Sequence, residues 1–494
     1  MKLNVTQKLV MTLALWMLAT SVAWANYIGY THDYIEANGL VFRRLYAEDP
    51  TGQTCTLVKP SKNNKNVYAE CNEYGQGVGP AEVPEGMAAE VHVGPDGDEY
   101  TKEIYEIPSI VQGAKVVRIE SDAFRGNTHL KSITFPAENL TSIPGNGFAE
   151  CTALESLNFS GTSIKVIGTA AFAQCTALKR IEDWGQVETI HGSSIGFGYG
   201  CFGGCTALTE LKIAPSVKYI YGNTFGGCTS LTKLIFEDGD DWLELSPNDG
   251  NEGAATLMFY DSPITYFYCG RKLTNNAHDN YIGFVNPLTT IEESVRKTIP
   301  KMEVEFGEKI DTLRNCVFRN MDIPIEVKAL GAVAIADYAF EDANVKSIDV
   351  PKIKFIDKYA FSKSKISEMN FYSVEEIGNY AFQHSRLTNV SLPATLKYVG
   401  VSAFDLNYTS DEANEAGNYD DTSSLKTFTI EDGDEPIELG FDRGDYEKYK
   451  DETDWDWTIF VYSRPWLSSL TLEELYIGRP VAHEAVINPV YGTV

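Results

Sequence analysis

FAECTAL, Phe148 to Leu154, comes back as FAQCTAL from Phe172 to Leu178, FGGCTAL from Phe202 to Leu208 and FGGCTSL from Phe225 to Leu231. Near-copies of one heptapeptide mark its cysteine and glycines as repeat positions. The leading Phe recurs more widely, at Phe124, Phe148, Phe172, Phe202 and Phe225, then Phe318, Phe340, Phe361, Phe382 and Phe404. Successive gaps are 24, 24, 30 and 23 residues in the first run and 22, 21, 21 and 22 in the second. A unit of that length cannot cover its own apolar face, so neighbours must stack.

Each unit has two halves. After the Phe comes a short alternating run, as in LKSITF (130–135), LESLNF (154–159), LTELKI (208–213), VKSIDV (345–350) and LTNVSL (387–392). Alternation of this kind is a strand that buries one face. A turn follows, often with proline (Pro136, Pro215, Pro351, Pro393). A returning half then carries Ile or Val ahead of the next Phe, as in SIKVIGTAAF (163–172), SVEEIGNYAF (373–382) and TLKYVGVSAF (395–404). The predicted fold is a β-rich solenoid, a right-handed stack of coils with short parallel strands and a buried Phe ladder.

The position three after the Phe holds Cys151, Cys175, Cys205 and Cys228, but elsewhere Asn127, Ala343, Ser364, Ser385 and Asn407. A site that accepts Cys, Ala, Ser or Asn wants a small side chain, so these thiols are expected to be reduced and buried. Gly198-x-Gly200-x-x-Gly203 matches a phosphate-cradling loop, but no strand-turn-helix surrounds it. Its glycines read as turn residues of the coil.

A longer phrase is also duplicated. LTKLIFEDGDDWLELS (231–246) matches LKTFTIEDGDEPIELG (425–440), and each is followed by an acidic insertion and a related close, SPITYFYCGRKL (262–273) and SLTLEELYIGRPV (469–481). The ladder is read as stopping in both passages. The expected organisation is a signal peptide at 1–25, an N-terminal β-rich cap at 26–115 and repeat blocks at 116–273 and 310–480. A linking segment at 274–309 joins the blocks, and a C-terminal tail runs from 481 to 494. In the cap, Cys55 and Cys71 lie on adjacent predicted strands and are the disulfide candidates.

Lys2 and Lys8 precede the apolar run from Val10 to Ala19, and Ala23-Trp24-Ala25 supplies a small-x-small cleavage pattern. The chain is therefore expected to be secreted, extracellular or held at the cell surface, with no transmembrane segment. With 41 basic against 69 acidic residues, the net charge of −28 excludes nucleic acid as a partner and favours a self-repelling monomer. The seven histidines form no zinc spacing, and no GxSxG or P-loop occurs. An enzyme and a bound cofactor are not expected. Asp-Gly-Asp at 96–98, 238–240 and 432–434 offers oxygen ligands for Ca²⁺, but Asp-Gly is also a favoured hairpin turn, and the turn is the preferred reading.

The pattern strand–Pro–x–x–[Val/Leu]–x–x–Ile–x–x–x–Ala–Phe–x–x–Cys–x–x–Leu resembles the BspA-like (type 5) leucine-rich-repeat family of bacterial secreted and cell-surface proteins. It departs from the common host-type repeat, which places Asn or Cys directly after the strand where a Pro turn sits here. The resemblance implies display outside the cell and binding to host or neighbouring-cell proteins. No LPxTG-like motif or sorting domain follows the second block, so the protein is expected to be released, to be tethered otherwise, or to continue beyond this sequence.

Stacking turns the outward strand positions into columns. Thr134, Asn158, Glu182, Lys212 and Ile235 form one, and Asp349, Asn370 and Ser391 another. Their mixed chemistry suits a protein partner. The insertions at 238–261 and 432–468 carry Trp242, Tyr260, Trp455, Trp457 and Trp466. These rings are interface anchors, stacking platforms for a cell-surface glycan, or packing over the solenoid flank. Surface adhesion through protein binding is the expected function, with glycan binding by the insertion aromatics as the alternative.

Overall fold

The computed structural model describes residues 34–44, 54–57, 69–71, 77–80, 102–192, 200–245, 258–274, 291–314, 318–406, 425–440, 466–469 and 471–481. The segment read as a signal peptide, the stretch beyond Val481, Trp455, Trp457 and residues 96–98 lie outside them. The chain divides into two compact units, Met1–Leu178 with Gly185–Val187 and Lys179–Trp184 with Glu188–Val494.

The first unit opens with a hairpin, Tyr34–Ala37 against Leu40–Arg44, turning through Asn38 and Gly39. Both turn residues have positive φ (57° and 79°), which Asn and Gly tolerate best and which matches the strand twist. Thr54–Leu57 and then Ala114–Ile119 extend this sheet, so the strand leading into the first coil belongs to the cap sheet. Cys55 lies in this sheet, whereas Cys71 closes Ala69–Cys71 in a separate pair with Gly77–Pro80. The side chains of both cysteines lie outside the described residues. The coils of this unit stack Phe124 on Phe148 at 5.0 Å and Phe148 on Phe172 at 5.3 Å.

The second unit continues the same construction. A front sheet of parallel strands runs Glu210–Ile213, Lys233–Phe236, Tyr266–Cys269, Met302–Phe306, Ile325–Lys328 and Val345–Asp349. Met302–Phe306 falls in the stretch read as a link, and its hydrogen bonds carry the sheet through without a break. A short helix, Glu293–Arg296, precedes it. Further along, Asn389–Leu392, Thr427–Ile430 and Glu474–Ile477 form a second parallel group. Return strands of two or three residues, such as Ala334–Ile335, Phe355–Ile356 and Glu376–Ile377, pair with one another in register.

Between the two walls the Phe ladder is buried and stacked. Phe318, Phe340, Phe361, Phe382 and Phe404 follow one another at 5.4, 5.0, 5.1 and 5.2 Å. In the other run Phe202 meets Phe225 at 5.5 Å, and Phe225 meets Phe259 at 5.6 Å. Phe259 corrects the sequence reading, in which the ladder stops inside the first insertion. It was hidden because Met258 precedes it instead of Ala, and Ser262 stands where Cys is expected. In the second passage Leu467 takes the Phe position, pairing with Phe404, while Trp466 is buried with its ring edge-on to Phe428 at 5.5 Å. Trp466 is core.

The thiols sit in a defined column. Cys151 Sγ donates to Phe124 O at 3.1 Å, Cys175 to Phe148 O at 3.3 Å and Cys228 to Phe202 O at 3.4 Å. Each bond reaches the previous ladder Phe, so the thiol ties one coil to the next. None of the three is in a disulfide and all are buried, and burial pushes the Cys228 thiol up to about 12. The serines at this position in other coils, Ser262, Ser364 and Ser385, are buried with hydroxyls that find no partner among the described residues. Oxygen sits closer to Cβ than sulfur does and falls short of the carbonyl. Cys175→Ser should therefore cost about 1–3 kcal/mol by orphaning a buried hydroxyl, and Ser385→Cys should stabilise. Urea midpoints check both, and a Cys175→Ser chain as stable as the parent would remove the thiol bond from the account.

Candidate functional site

The front sheet of the second unit presents two outward columns whose members are in direct register. One runs Lys212, Ile235, Tyr268, Glu305, Lys328 and Asp349. The other runs Glu210, Lys233, Tyr266, Glu303, Glu326 and Ser347. Lys212 and Asp349, read from sequence as parts of separate columns, thus stand at the two ends of one.

The first column alternates in charge around its apolar centre, whereas the second sets Glu303 beside Glu326. Glu210 receives Lys212 at 3.0 Å and Lys233 at 3.1 Å, Lys301 reaches Glu326 at 2.9 Å, and Lys328 reaches Glu305 at 2.9 Å. Partial burial opposes ionisation of Glu210, yet the two lysines hold its carboxyl below the usual range. The Lys328 ammonium does the same for Glu305. Exposed pairs of this kind add little stability, but they set which charges a partner must meet.

At the centre, Ile235, Tyr266 and Tyr268 stand half-buried. Lys233 Nζ lies 5.4 Å from the Tyr266 ring centroid, and the Tyr266 hydroxyl donates to Glu305 Oε2 at 3.2 Å. The Tyr268 hydroxyl donates to Asp238 Oδ1 at 2.7 Å. Burial, followed by the neighbouring carboxylates, raises both phenols, so they remain protonated donors. Rings held at both ends lose little entropy when a partner covers them, which is the condition for an interface anchor. Sequence reasoning missed this pair because its coil was read only as a closing phrase.

The other residues named from sequence are placed as follows. Thr134 and Asn158 are exposed on Ser132–Thr134 and Ser156–Asn158 of the first unit. Glu182 is exposed on Arg180–Asp183 and paired with Arg180 at 2.9 Å. Asn370 is exposed in a coil without an assigned front strand, and Ser391 is exposed in register with Thr429 and Tyr476. Trp242 is 43 % exposed, with the Arg314 guanidinium 4.4 Å over its ring. That cation covers one face of the indole.

The Asp-Gly-Asp turns have a role that the sequence reading did not reach. Residues 238–240 join a front strand to a return strand in different sheets, so they are no hairpin. Asp238 accepts the Tyr268 hydroxyl, and Asp240 takes Lys309 at 2.6 Å. Across Gly239 passes the buried Arg271 side chain, close enough that a Cβ there would meet its Cδ at 3.3 Å. The guanidinium donates to the carbonyls of Ala214 (3.0 Å), Pro215 (3.2 Å) and Val217 (2.7 Å). The duplicated phrase repeats the device: Arg479 crosses Gly433 to Ala394 O and Leu396 O, each at 2.7 Å, and Tyr476 donates to Asp432 at 2.6 Å. Among the described residues no cluster of three or more His, Cys, Asp or Glu is placed to hold a metal ion.

A stack of short-strand coils with a ladder interior and an outward strand face is the architecture of a repeat protein built around an extended surface. The sequence pattern of the BspA type leucine-rich repeat region matches in 6 copies, over residues 99–197, 192–244 and 332–432. These cover half of the chain, and the protein belongs to that family. Among solved structures, a leucine-rich repeat protein from Bacteroides ovatus is similar at 18 % identity over 66 % of this chain and 83 % of its own, with a TM-score of 0.29. A leucine-rich cell surface protein from Faecalibacterium prausnitzii is similar at 15 % identity over 81 % and 94 %, TM-score 0.30. The pneumococcal vaccine antigen PcpA is similar at 15 % identity over 91 % and 99 %, TM-score 0.28. No curated protein matches. Among the described residues no helix is long and apolar enough to cross a membrane.

Proposed function

We propose that this chain is an exported or surface-displayed bacterial leucine-rich repeat protein that binds a protein partner on the front sheet of its second unit, as an adhesion module with no catalytic role. The observation that carries the reading is the placement of Ile235, Tyr266 and Tyr268 side by side within a rim of paired Lys and Glu. A central apolar and aromatic group with a charged border is how protein interfaces concentrate affinity and choose partners. The leader-like first 25 residues support export.

Immobilised host matrix proteins and neighbouring-cell surface proteins, run beside a glycan array, test the reading. Tyr266→Ala in combination with Ile235→Ala should weaken capture about ten-fold or more. Tyr372→Ala, at a ring 69 % exposed elsewhere, should leave it unchanged. A chain that binds only glycans, unaffected by the Tyr266 change, would overturn the proposal.

A further inference from the structure

The strand Glu474–Ile477 is the outermost of its sheet among the described residues, paired only with Thr427–Ile430. Its inward column runs Val390, Phe428, Leu475. Val390 and Phe428 are buried, whereas Leu475 is 41 % exposed. Among the described residues one edge of the strand carries no pairing and lies beside a part-exposed apolar side chain, the combination that recruits another strand.

The duplicated phrase shows what such a strand is built to carry. Tyr476-Ile-Gly-Arg479 corresponds to Tyr268-Cys-Gly-Arg271, down to the tyrosine bond on the Asp and the arginine crossing the Gly. In the earlier copy a parallel strand, Met302–Phe306, lies on the equivalent edge, setting Val304 over Phe267 and Phe306 over Cys269. Under that cover Phe267 is 1 % exposed. Charge narrows what a covering strand would carry. Glu473 and Glu474 are exposed and carry no ion pair among the described residues, in a chain of net charge −28. A Lys or Arg opposite them on an approaching strand would pair with them, and the shared negative charge disfavours a second copy of this chain.

We propose that the edge of Glu474–Ile477 is a docking site for an extended strand of a partner protein. The strand is taken up in parallel register, with apolar residues over Leu475 and Ile477 and a Lys or Arg opposite Glu474. The site is separate from the tyrosine-centred face and stands or falls independently of it.

The probe is a labelled peptide of residues 298–307, TIPKMEVEFG, carrying Glu303→Lys so that a lysine faces Glu474, titrated against the full chain by fluorescence anisotropy. It should bind, and the peptide that keeps Glu303 should bind more weakly, the gap narrowing as salt is added. Leu475→Asp in the full chain should weaken binding about ten-fold or more without moving the melting temperature. No binding by either peptide, or binding indifferent to Leu475→Asp, would overturn the proposal. Binding that emerges only after deletion of 482–494 would make the chain's own tail the occupant. Dimers dispersed by Leu475→Asp would make it a second copy. Either result also overturns the proposal.

Discussion

Phe361→Ala should destabilise the second unit by about 3–5 kcal/mol, the range for truncating a buried aromatic. The ring is fully buried, stacked on Phe340 at 5.0 Å and on Phe382 at 5.1 Å. Its removal opens a cavity and breaks two ring contacts at once. Stability in a stacked-coil protein is a sum of unit and neighbour terms, so the damage should be local. Amide exchange should accelerate most in the coils of Phe340 and Phe382, and least in the distant coil of Phe202. Phe172→Ala in the first unit, where the ring is also fully buried and lies 5.3 Å from Phe148, should cost a similar amount. Uniform acceleration across the second unit would show one cooperative block, and the additive picture would fail.

Arg271→Met should have the second large effect, about 3 kcal/mol or more. Arg271 is 1 % exposed, and its guanidinium is the donor to the three carbonyls of the Ala214–Val217 turn. Burial pulls its pKa down to about 10, so it stays charged at neutral pH. Methionine fills much of the volume and relieves the buried charge, but it leaves the Pro215 and Val217 carbonyls without their donor, each costing about 1–3 kcal/mol, while Ala214 O keeps the Val217 N–H. Arg271→Lys keeps a charge and loses the planar fork, so it should fall between the two. Arg479→Met should reproduce the loss in the second copy of the device. Denaturant midpoints of the three variants decide the matter. Arg271→Met unfolding at the parent's midpoint would show that the arginine is accommodated rather than required. Gly239→Ala is the companion test, because a Cβ there meets the Arg271 stem at 3.3 Å.

Much of the fold was legible in the sequence because each coil repeats its own short-range rules. The Phe recurs every low-twenties interval, the strand alternates with period two, and small residues fill the column three after the Phe. Where a coil broke those rules, legibility failed. Phe259 lost its flanking Ala and Cys, and Leu467 replaced Phe outright, so both rungs read as insertions. The candidate site was less legible still. Tyr266 and Glu305 are far apart in sequence, and nothing local says that they hydrogen-bond.

By itself, then, the sequence determined the coil: its length, its buried ladder, its strand and turn, and the acidic balance of the whole chain. It also displayed the duplicated EDGD and GR phrases as strings. Only the tertiary structure decided which outward residues share a column, that the front sheet runs through Met302–Phe306, and that each arginine crosses a glycine to hold a turn two coils away. The reason is the range of the forces. Burial and strand alternation act within a coil and leave a periodic trace. Column register, arginine reach and edge exposure arise between coils, where insertions of different length shift which residues meet.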